Sequence, residues 1–232
     1  MLVGIVPAGG LGTRMSMFSG SKEMLKVAGQ PVIEYLLHRM TLAKVEKIFI
    51  VSHSDKVDLN QYVTKRSQHR DLIELSCPER LGLTSAILDP IDHLKAGDEA
   101  IFGLPDTIFY PVTALRDLSQ STQDMCLGLF PSSTPEKLGT VEVNNLGTIL
   151  CISEKPKHPK TNMIWGCGKL SYSAMRALHA LYGDNPIFTS AMAGYAKNFY
   201  AKAISFEDGK YLDTGTPESY GQADLFIRVN LG

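Results

Sequence analysis

The chain has 232 residues, which is long enough to bury a full hydrophobic core and typical of one domain. Its 23 Lys and Arg residues nearly balance its 24 Asp and Glu residues, so the formal net charge of −1 gives no support to a nucleic-acid or membrane-surface partner. The four cysteines are scattered without C-x-x-C spacing, which predicts free thiols in a reducing compartment and argues against a disulfide framework or a zinc site.

The N-terminus lacks the basic segment, apolar stretch and cleavage site that direct a protein to export. No apolar run of the sequence is long enough to span a bilayer. We therefore expect a cytoplasmic protein without a membrane partner.

The first predicted strand is the apolar run Leu2–Val6, and a glycine-rich turn follows it directly. Glycine lets the backbone approach a ligand closely because no Cβ stands between them, so the N–H groups of such a turn can converge on phosphate oxygens. Arg14 adds a planar cation, and Lys22 adds a second one a short loop later. The pattern predicts a polyphosphate-binding turn built from Ala8, Gly9, Gly10, Gly12, Thr13 and Arg14.

Two better-known glycine loops are excluded by spacing. A Walker loop needs G-x-x-x-x-G-K-[ST], but Glu23 follows Lys22 and no glycine precedes Gly20 at the required distance. A dinucleotide fingerprint needs an acidic residue at the end of the second strand, and here that strand runs into Ser52 and His53.

In the first half of the chain, predicted strands alternate with predicted helices. A helix follows Pro31, strands cover 47–51, 72–75 and 99–104, and a helix over 83–94 is interrupted at Pro90. This alternation favours a parallel, doubly wound sheet, in which ligands gather beyond the carboxyl ends of the strands. The glycine turn and Pro105-Asp106-Thr107 should therefore face each other across a crevice.

In the second half of the chain, the alternation of strands and helices gives way to a predicted antiparallel hairpin. Segments 138–143 and 148–153 flank a turn-rich stretch and predict a hairpin. A strand over 166–172, a helix over 174–181, a strand over 201–205 and a closing helix from Thr216 follow. We expect one α/β domain over 1–232, with a nucleotide-binding part over about 1–135 and an inserted antiparallel sugar-binding portion over about 136–232.

Three motifs carry a resemblance to a known family. The sequence has A-G-G-x-G-T-R-[LM] at Ala8–Met15, K-[EQ]-[ML]-L at Lys22–Leu25 and G-x-P-[LVM]-I-x-Y at Gly29–Tyr35. The chain thus resembles the sugar-1-phosphate nucleotidyltransferases, in particular the glucose-1-phosphate thymidylyl- and uridylyltransferases. The resemblance implies a Rossmann-like doubly wound mixed sheet and a reaction of a nucleoside triphosphate, UTP or dTTP, with a hexose 1-phosphate.

The same resemblance assigns roles on the nucleotide side. It implies that Arg14 and Lys22 assist the transfer, and that Asp106 and Asp213, the latter in a segment similar to W-L-D-[TV]-G-T-P, hold Mg²⁺. Gly82 would support the base. Cys77 stands where the family usually places a glutamine that reads the base, and a thiol is a poor hydrogen-bond partner, so the nucleotide preference is left open.

The sugar-binding residues implied by the resemblance are Gly139, Glu154, Lys155 and Trp165. Gly139 would allow close approach of the hexose, and Glu154-Lys155-Pro156 matches the family's E-K-P motif. The carboxylate of Glu154 can accept hydrogen bonds from two adjacent hydroxyls, while Lys155, which together with Arg14 and Lys22 is assigned as catalytic, can neutralise the phosphate of the sugar. Trp165 is equally compatible with a place in the core, because tryptophan is usually buried.

Alternatives remain at both the residue and the protein level. Asp106 alone would suit an Asx turn or a helix cap, and Asp213 a cap before the last helix. The chain also fits a cytidylyltransferase-type relative that acts on another phosphorylated alcohol, or a non-catalytic nucleotide-sugar sensor. Assembly into a homo-oligomer is compatible with the sequence but not specified by it.

Overall fold

The computed structural model describes residues 1–10, 20–79, 82–182 and 185–231. Within these ranges the chain forms strands that belong mostly to one large mixed sheet. The strands are β1 (Leu2–Pro7), β2 (Lys26–Val27), β3 (Gln30–Pro31), β4 (Lys47–Val51), β5 (Ile73–Ser76), β6 (Glu99–Gly103), β7 (Thr107–Tyr110), β8 (Met125–Pro131), β9 (Gly139–Val143), β10 (Ile149–Glu154), β11 (Met163–Ser171), β12 (Lys202–Ser205) and β13 (Lys210–Asp213).

Helices connect these strands and cover both faces of the large sheet. They are α1 (Val32–Leu42), α2 (Val57–Lys65), α3 (Leu83–Leu88), α4 (Ala114–Ser119), α5 (Tyr172–Tyr182), α6 (Phe188–Asn198) and α7 (Pro217–Leu231). Short 3-10 turns cover Lys22–Met24, Arg70–Leu72, Asp89–His93 and Pro135–Lys137. In the described part of the chain, no helix is both long and apolar enough to cross a membrane.

The first half of the chain builds the parallel part of the sheet. Strand β1 pairs in parallel with β4 on one side and with β6 on the other, and β5 adds in parallel beside β4. The carboxyl ends of β1, β4, β5 and β6 therefore lie along one edge. In open α/β sheets, ligands bind in the crevice outside the carboxyl ends of the strands.

Strand β11 joins the two halves of the molecule. It pairs antiparallel with β8 along one side and with β6 along the other, where Cys167 is opposite Gly103. Beyond the end of β6, the same side of β11 receives β9, with Ile164 opposite Thr140. The end of β6 and the beginning of β9 consequently meet within three positions of each other on β11.

Two apolar layers fill the space between the sheet and its helices. One contains side chains of α3, α5 and α6, and the other contains side chains of α1, α2 and α4. The alternation along β1 shows why both form: Val3 and Ile5 face the first layer, whereas Val6 faces the second. Gly4 lies on the α1 side, where a Cβ would come within 2.6 Å of Met40 Sδ.

The predicted mixed α/β fold with a hairpin in the second half is confirmed, with shifts at the ends of elements. The helix predicted over 83–94 ends as an α-helix at Leu88 and continues as the 3-10 turn Asp89–His93, because Pro90 has no amide hydrogen for the α-helical ladder. The strand predicted from Gly166 begins earlier, at Met163. The sequence patterns did not predict α2, α4, α6, β2, β3, β7, β8 or β13.

Candidate active site

The centre of the candidate site is an ion pair between two predicted residues. Lys22 Nζ donates a hydrogen bond of 2.6 Å to Asp106 Oδ2, although the residues are 84 positions apart. Both side chains are largely buried, with 20% and 13% of their surfaces exposed. Lys22 comes from the 3-10 turn after the glycine-rich segment, and Asp106 comes from the loop after β6. The turn that carries Lys22 and the loop that carries Asp106 therefore meet at the carboxyl edge of the sheet.

The charge state of Lys22 follows from its neighbours. Burial by itself lowers the pKa of Lys22, but the charge and hydrogen bond of Asp106 outweigh it, and Glu23 and Asp213 add smaller contributions. The pKa of Lys22 is therefore raised, and the side chain is an ammonium at neutral pH. A fixed cation at this place can meet a negatively charged phosphate without first gaining a proton.

The beginning of the glycine-rich turn lies beside this ammonium. A Cβ on Gly10 would lie 3.9 Å from Lys22 Nζ, so the backbone of Gly10 and the Lys22 side chain face the same space. Ala8 is anchored at the end of β1 by its amide, which donates to the carbonyl of Val51 at 2.7 Å. The predicted residues Gly12, Thr13 and Arg14 lie outside the described residues.

The two predicted metal ligands come together on a small two-stranded sheet. Strand β13 pairs antiparallel with β7, which places Asp213 opposite Thr107. The amide and hydroxyl of Thr214 both donate to the carbonyl of Asp106, at 3.0 and 2.7 Å. Asp106 and Asp213 thus occupy neighbouring positions on paired backbones, although the sequence separates them by more than a hundred residues.

The second aspartate is held from the side of the last helix. Ser219 Oγ donates to Asp213 Oδ2 at 3.0 Å, and the Ser219 amide donates to Thr216 Oγ1 at 3.2 Å. Thr216 therefore caps α7, so the capping role considered for Asp213 belongs to its neighbour. Asp213 ends β13 instead, and its carboxylate lies close enough to Lys22 to raise that pKa.

This donor set fits a magnesium ion. The two carboxylates are hard oxygen ligands, and Mg²⁺ usually takes only one or two carboxylates from a protein and completes its shell with water and phosphate. Among the described residues there is no group of three or more His, Cys, Asp or Glu side chains of the kind that would enclose a metal. Around Lys22, two lysines, 22 and 56, face three carboxylates, 23, 106 and 213, so these described side chains carry a net negative charge, which favours binding of a cation.

The predicted sugar-binding residues lie next to this centre by strand register. Glu154 at the end of β10 is opposite Gly139 at the start of β9. Because β9 begins where β6 ends along β11, Gly139 and Glu154 lie beside the loop that carries Asp106. The β9–β10 hairpin therefore lies next to the proposed nucleotide-binding residues, on the side where the sugar would bind.

Gly139 and Trp165 contact each other closely. A Cβ on Gly139 would lie 2.3 Å from Trp165 Nε1, so glycine is required here by the indole ring itself. Trp165 is only 7% exposed, packs against Phe102 and Phe188, and donates from Nε1 to Thr189 Oγ1 at 3.1 Å. Of the two roles left open for Trp165, this burial favours the core, from which the ring supports the backbone of Gly139.

Lys155 differs from the other predicted cations because it is exposed. Its side chain is 64% exposed, and its ammonium lies 3.6 Å from Glu154 Oε1. Its φ of +44° is in the left-handed region, which costs free energy for a residue with a Cβ. The amide of Lys155 donates to the carbonyl of Leu138 at 3.1 Å, and this bond holds the turn beside Gly139.

The predicted base-binding residues lie at the ends of β5 and α3. Cys77 follows β5 and is exposed, and Asn60 on α2 directs its amide toward Cys77 Sγ at 3.8 Å. Partial burial raises the pKa of the Cys77 thiol, so it is protonated at neutral pH. Gly82 immediately precedes α3, where a Cβ would lie 3.8 Å from Pro186 Cα.

Three residues near the centre were missed by the sequence analysis. Glu23 is completely buried and pairs with Lys56, while Asp58 accepts hydrogen bonds from the amide and hydroxyl of Ser21, at 2.8 and 2.5 Å. Glu23 is part of the K-[EQ]-[ML]-L motif and could have been singled out. Lys56 and Asp58 belong to no motif. Only the packing of α2 brings them to this turn, so no signal in the sequence points to them.

A cavity of about 380 Å³ lies away from this centre. Its walls come mainly from α1 and from the end of β7 and the residues after it, and they include Glu34, Arg39 and Tyr110. None of the predicted site residues lines it. The crevice at the carboxyl edge of the sheet therefore remains the candidate active site.

Comparisons of sequence identify the family of this chain. The family model described as nucleotidyl transferase matches residues 3–229. The chain is 27% identical over 244 residues to the glucose-1-phosphate thymidylyltransferase of Neisseria meningitidis serogroup A, covering 97% of this chain and 82% of that protein. It is 24% identical over 271 residues to the UTP–glucose-1-phosphate uridylyltransferase of Mycoplasma genitalium, covering 97% and 91%.

Solved structures share the fold over nearly the whole chain. A protein from Bacillus anthracis, described as a candidate glucose-1-phosphate thymidylyltransferase in complex with a sucrose, has a TM-score of 0.87 at 20% identity, covering 100% of this chain and 98% of that one. A UDP-glucose pyrophosphorylase complexed with UDP-glucose has a TM-score of 0.82 at 23% identity, covering 99% of both. The match of the family model over almost the entire length shows that this chain belongs to the nucleotidyl transferase family, among the sugar-1-phosphate nucleotidyltransferases.

Proposed function

We propose that this protein transfers a nucleotidyl group from a nucleoside triphosphate, UTP or dTTP, to a hexose 1-phosphate. The products are a nucleoside-diphosphate hexose and pyrophosphate. The observation that carries the proposal is the Lys22–Asp106 ion pair beside Gly10, with Asp213 on the neighbouring strand. The names of the relatives support the same class of substrates.

The reaction joins two anions, so its main obstacle is electrostatic. An oxygen of the sugar phosphate forms a bond to the α-phosphorus, and the bond from that phosphorus to the bridging oxygen breaks as pyrophosphate leaves. The attacking oxygen is already ionised, so no protein base has to remove a proton. What the protein must supply is fixed positive charge and alignment of the reacting groups.

Each part of the crevice contributes one of these requirements. Backbone amides of the glycine-rich turn and the Lys22 ammonium bind the triphosphate, and Glu154 and the backbone of Gly139 hold the hexose. Lys155 approaches the phosphate of the sugar from the exposed side. Asp106 and Asp213 would hold Mg²⁺, which neutralises phosphate charge and draws electron density from the α-phosphorus when it is bound.

The transfer is tested by measuring pyrophosphate release with a panel of nucleoside triphosphates and hexose 1-phosphates. We expect release only when both substrates and Mg²⁺ are present, with UTP or dTTP preferred. Release with CTP and a phosphorylated alcohol other than a hexose 1-phosphate would point to the cytidylyltransferase-type alternative. Tight binding of a nucleotide sugar without release from any pair would point to a sensor.

The metal ligands are tested by Asp106→Asn and Asp213→Asn. Each variant should keep its circular dichroism spectrum and lose at least about 100-fold in kcat, because a transition-state charge interaction is removed. Binding of Mn²⁺ together with the triphosphate, measured by calorimetry, should weaken in both variants. Wild-type turnover and Mn²⁺ affinity in either variant would show that its carboxylate has a structural role.

A further inference from the structure

A second ion pair lies behind Lys22 and has no part in the chemistry proposed above. Glu23 is completely buried and Lys56 is 5% exposed. Lys56 Nζ donates to Glu23 Oε1 at 2.8 Å and to the carbonyl of Ala8 at 2.6 Å. One ammonium therefore contacts both the turn that carries Lys22 and the first residue of the glycine-rich segment.

The stability of the fold does not by itself explain this pair. Burial raises the pKa of Glu23 and lowers the pKa of Lys56, and in each case the partner's charge opposes the shift. Glu23 Oε2 is also buried, and no described residue gives it a hydrogen bond. Two apolar side chains of similar volume would usually stabilise such a place equally well or better.

The position of this ion pair allows it to restrain the turn that carries Lys22. Glu23 is adjacent to Lys22 in the chain, so a fixed Glu23 side chain restrains the backbone from which Lys22 reaches Asp106. Asp58 restrains the same turn from the other side through Ser21. Displacing a cation by about 1 Å from a reacting phosphate can cost roughly 100-fold in rate, so restraint of this kind has a kinetic value.

We propose that Glu23 and Lys56 are positioning residues for nucleotidyl transfer, which act by tying the Lys22 turn to the carbonyl of Ala8. This inference rests on the proposed function, because the cation that they position is the one assigned to the triphosphate. Both side chains are buried, so their role is to position Lys22 and not to contact the substrate.

The fold contains a second buried lysine that serves as a control, although its carboxylate partner, Glu99, is 37% exposed. Lys169 is completely buried and donates to the Glu99 carboxylate and to the carbonyl of Ser121, the same pair of acceptor types that Lys56 has. Glu99 begins β6, so this second pair lies at the opposite edge of the sheet from Lys22. Lys169→Met should therefore reproduce the loss of a buried cation without affecting the crevice.

The first experiment compares Lys56→Met with Lys169→Met. Urea unfolding should show a loss of stability in both variants, because each leaves a carboxylate without its partner. At a temperature where both are folded, Lys56→Met should lower kcat roughly 10- to 100-fold, whereas Lys169→Met should change it by no more than about two-fold. Equal effects of the two substitutions on kcat would overturn the inference.

The second experiment separates positioning from stability. The double variant Glu23→Gln with Lys56→Met removes both charges and should recover much of the stability lost by Lys56→Met alone. Its kcat should stay low, because no ion pair restrains the turn. Recovery of kcat in step with stability would overturn the positioning role.

Triphosphate affinity distinguishes failure of this inference from failure of the proposed function. If the wild-type protein releases no pyrophosphate but binds UTP or dTTP, only the proposed transfer fails. Lys56→Met should then weaken that binding about ten-fold relative to Lys169→Met, since Lys22 still contacts the phosphates. Equal affinities would overturn the positioning role, and a wild-type protein that binds no triphosphate would overturn both proposals.

Discussion

At the scale of single residues, the Lys22 ammonium pairs with Asp106 and is also proposed to bind the triphosphate. In the described structure its ammonium occupies Asp106 Oδ2, an oxygen proposed to hold the metal ion. A cation at this distance competes directly with a divalent metal for the same carboxylate. A triphosphate bound as proposed would compete with Asp106 for the Lys22 ammonium, so metal and nucleotide should bind best together.

The first prediction concerns Lys22→Gln. The variant should lose at least about 100-fold in kcat, because a cation next to the transferring phosphate is removed. Its affinity for Mn²⁺ without nucleotide should rise, by about ten-fold, because the competing charge is gone. Electron paramagnetic resonance titration of free Mn²⁺ measures this affinity. Lys47→Gln, which breaks an exposed pair with Glu74, should change neither quantity. Unchanged or weaker Mn²⁺ binding in Lys22→Gln would show that Lys22 does not compete for the site.

Lys155 combines exposure with an unfavourable backbone conformation. Its φ of +44° is one that glycine adopts without cost, and in a side-chain-bearing residue it costs about 1–2 kcal/mol. Lys44, an exposed residue just after α1, has the same feature with a φ of +60°. The two lysines therefore allow backbone strain and side-chain function to be compared directly.

The second prediction is that Lys155→Gly and Lys44→Gly will leave stability unchanged or raise it by up to about 1 kcal/mol. Only Lys155→Gly should lower kcat/KM for the sugar phosphate, by roughly 10- to 100-fold, because it removes one charge-assisted contact. Thermal unfolding and steady-state kinetics measure the two effects. A similar loss of activity in both variants, or in neither, would contradict the role proposed for Lys155.

At the scale of elements, the N-terminal end of α2 restrains the turn that carries Lys22. Ser21 donates two hydrogen bonds to the Asp58 carboxylate, and Gly20 allows the close approach, since a Cβ there would lie 2.6 Å from Asp58 Oδ2. Burial alone would raise the pKa of Asp58, but the Ser21 hydrogen bonds outweigh it, so this pKa is lowered from its ordinary value of 3.8.

The third prediction follows from the sign of that shift. A carboxyl whose pKa is lowered by folding stabilises the folded state above its unfolded pKa, and this contribution disappears as the pH falls through the folded pKa. Asp58→Asn should therefore have a lower Tm than the wild type at pH 7. The difference should shrink as the pH falls below the ordinary value of 3.8. A difference in Tm that does not depend on pH would contradict the proposed source of this stability.

The start of β9 depends on the absence of a side chain. Gly139→Ala would bring a Cβ to 2.3 Å from Trp165 Nε1, and both the hairpin and the indole ring would have to move. The fourth prediction is a loss of about 1–3 kcal/mol in stability together with a raised KM for the sugar phosphate. Gly221→Ala in α7, where nothing lies within 4 Å, should instead be stabilising. An unchanged KM in Gly139→Ala would show that the start of β9 does not contribute to binding of the sugar phosphate.

At the scale of the whole molecule, all the proposed contacts lie along one edge of the sheet and involve both halves of the chain. A ligand that binds only the folded crevice must therefore stabilise the entire fold. The fifth prediction is that Mg²⁺ with UTP or dTTP, at about 100 times its Kd, will raise the free energy of unfolding by about 2.7 kcal/mol. Denaturant unfolding with and without ligand measures this. Asp106→Asn should show a much smaller increase at the same concentrations, and an equal increase would place the nucleotide elsewhere.

The elements that could be predicted are those with a strong local pattern. The apolar run at β1, the helical spacing after Pro31 and the turn between β9 and β10 were each visible in the sequence. Strand β7, with the sequence Thr-Ile-Phe-Tyr, has the composition of a strand and could have been predicted, whereas β13, Lys-Tyr-Leu-Asp, has only two apolar residues in four. Helix α2 was missed because only Leu59 and Val63 are buried, which leaves its apolar face narrow.

The sequence by itself determined which chemical groups the chain carries and in what order, because glycine spacing, charge and motif identity are local properties. It indicated the glycine-rich turn, Lys22, Asp106, Glu154 and Asp213 as residues suited to phosphate, metal and sugar. Only the tertiary structure decided that Lys22 pairs with Asp106, that β13 brings Asp213 beside it, and that Lys56 holds Glu23. These contacts depend on strand register and helix packing between distant segments, and no local pattern of residues specifies either.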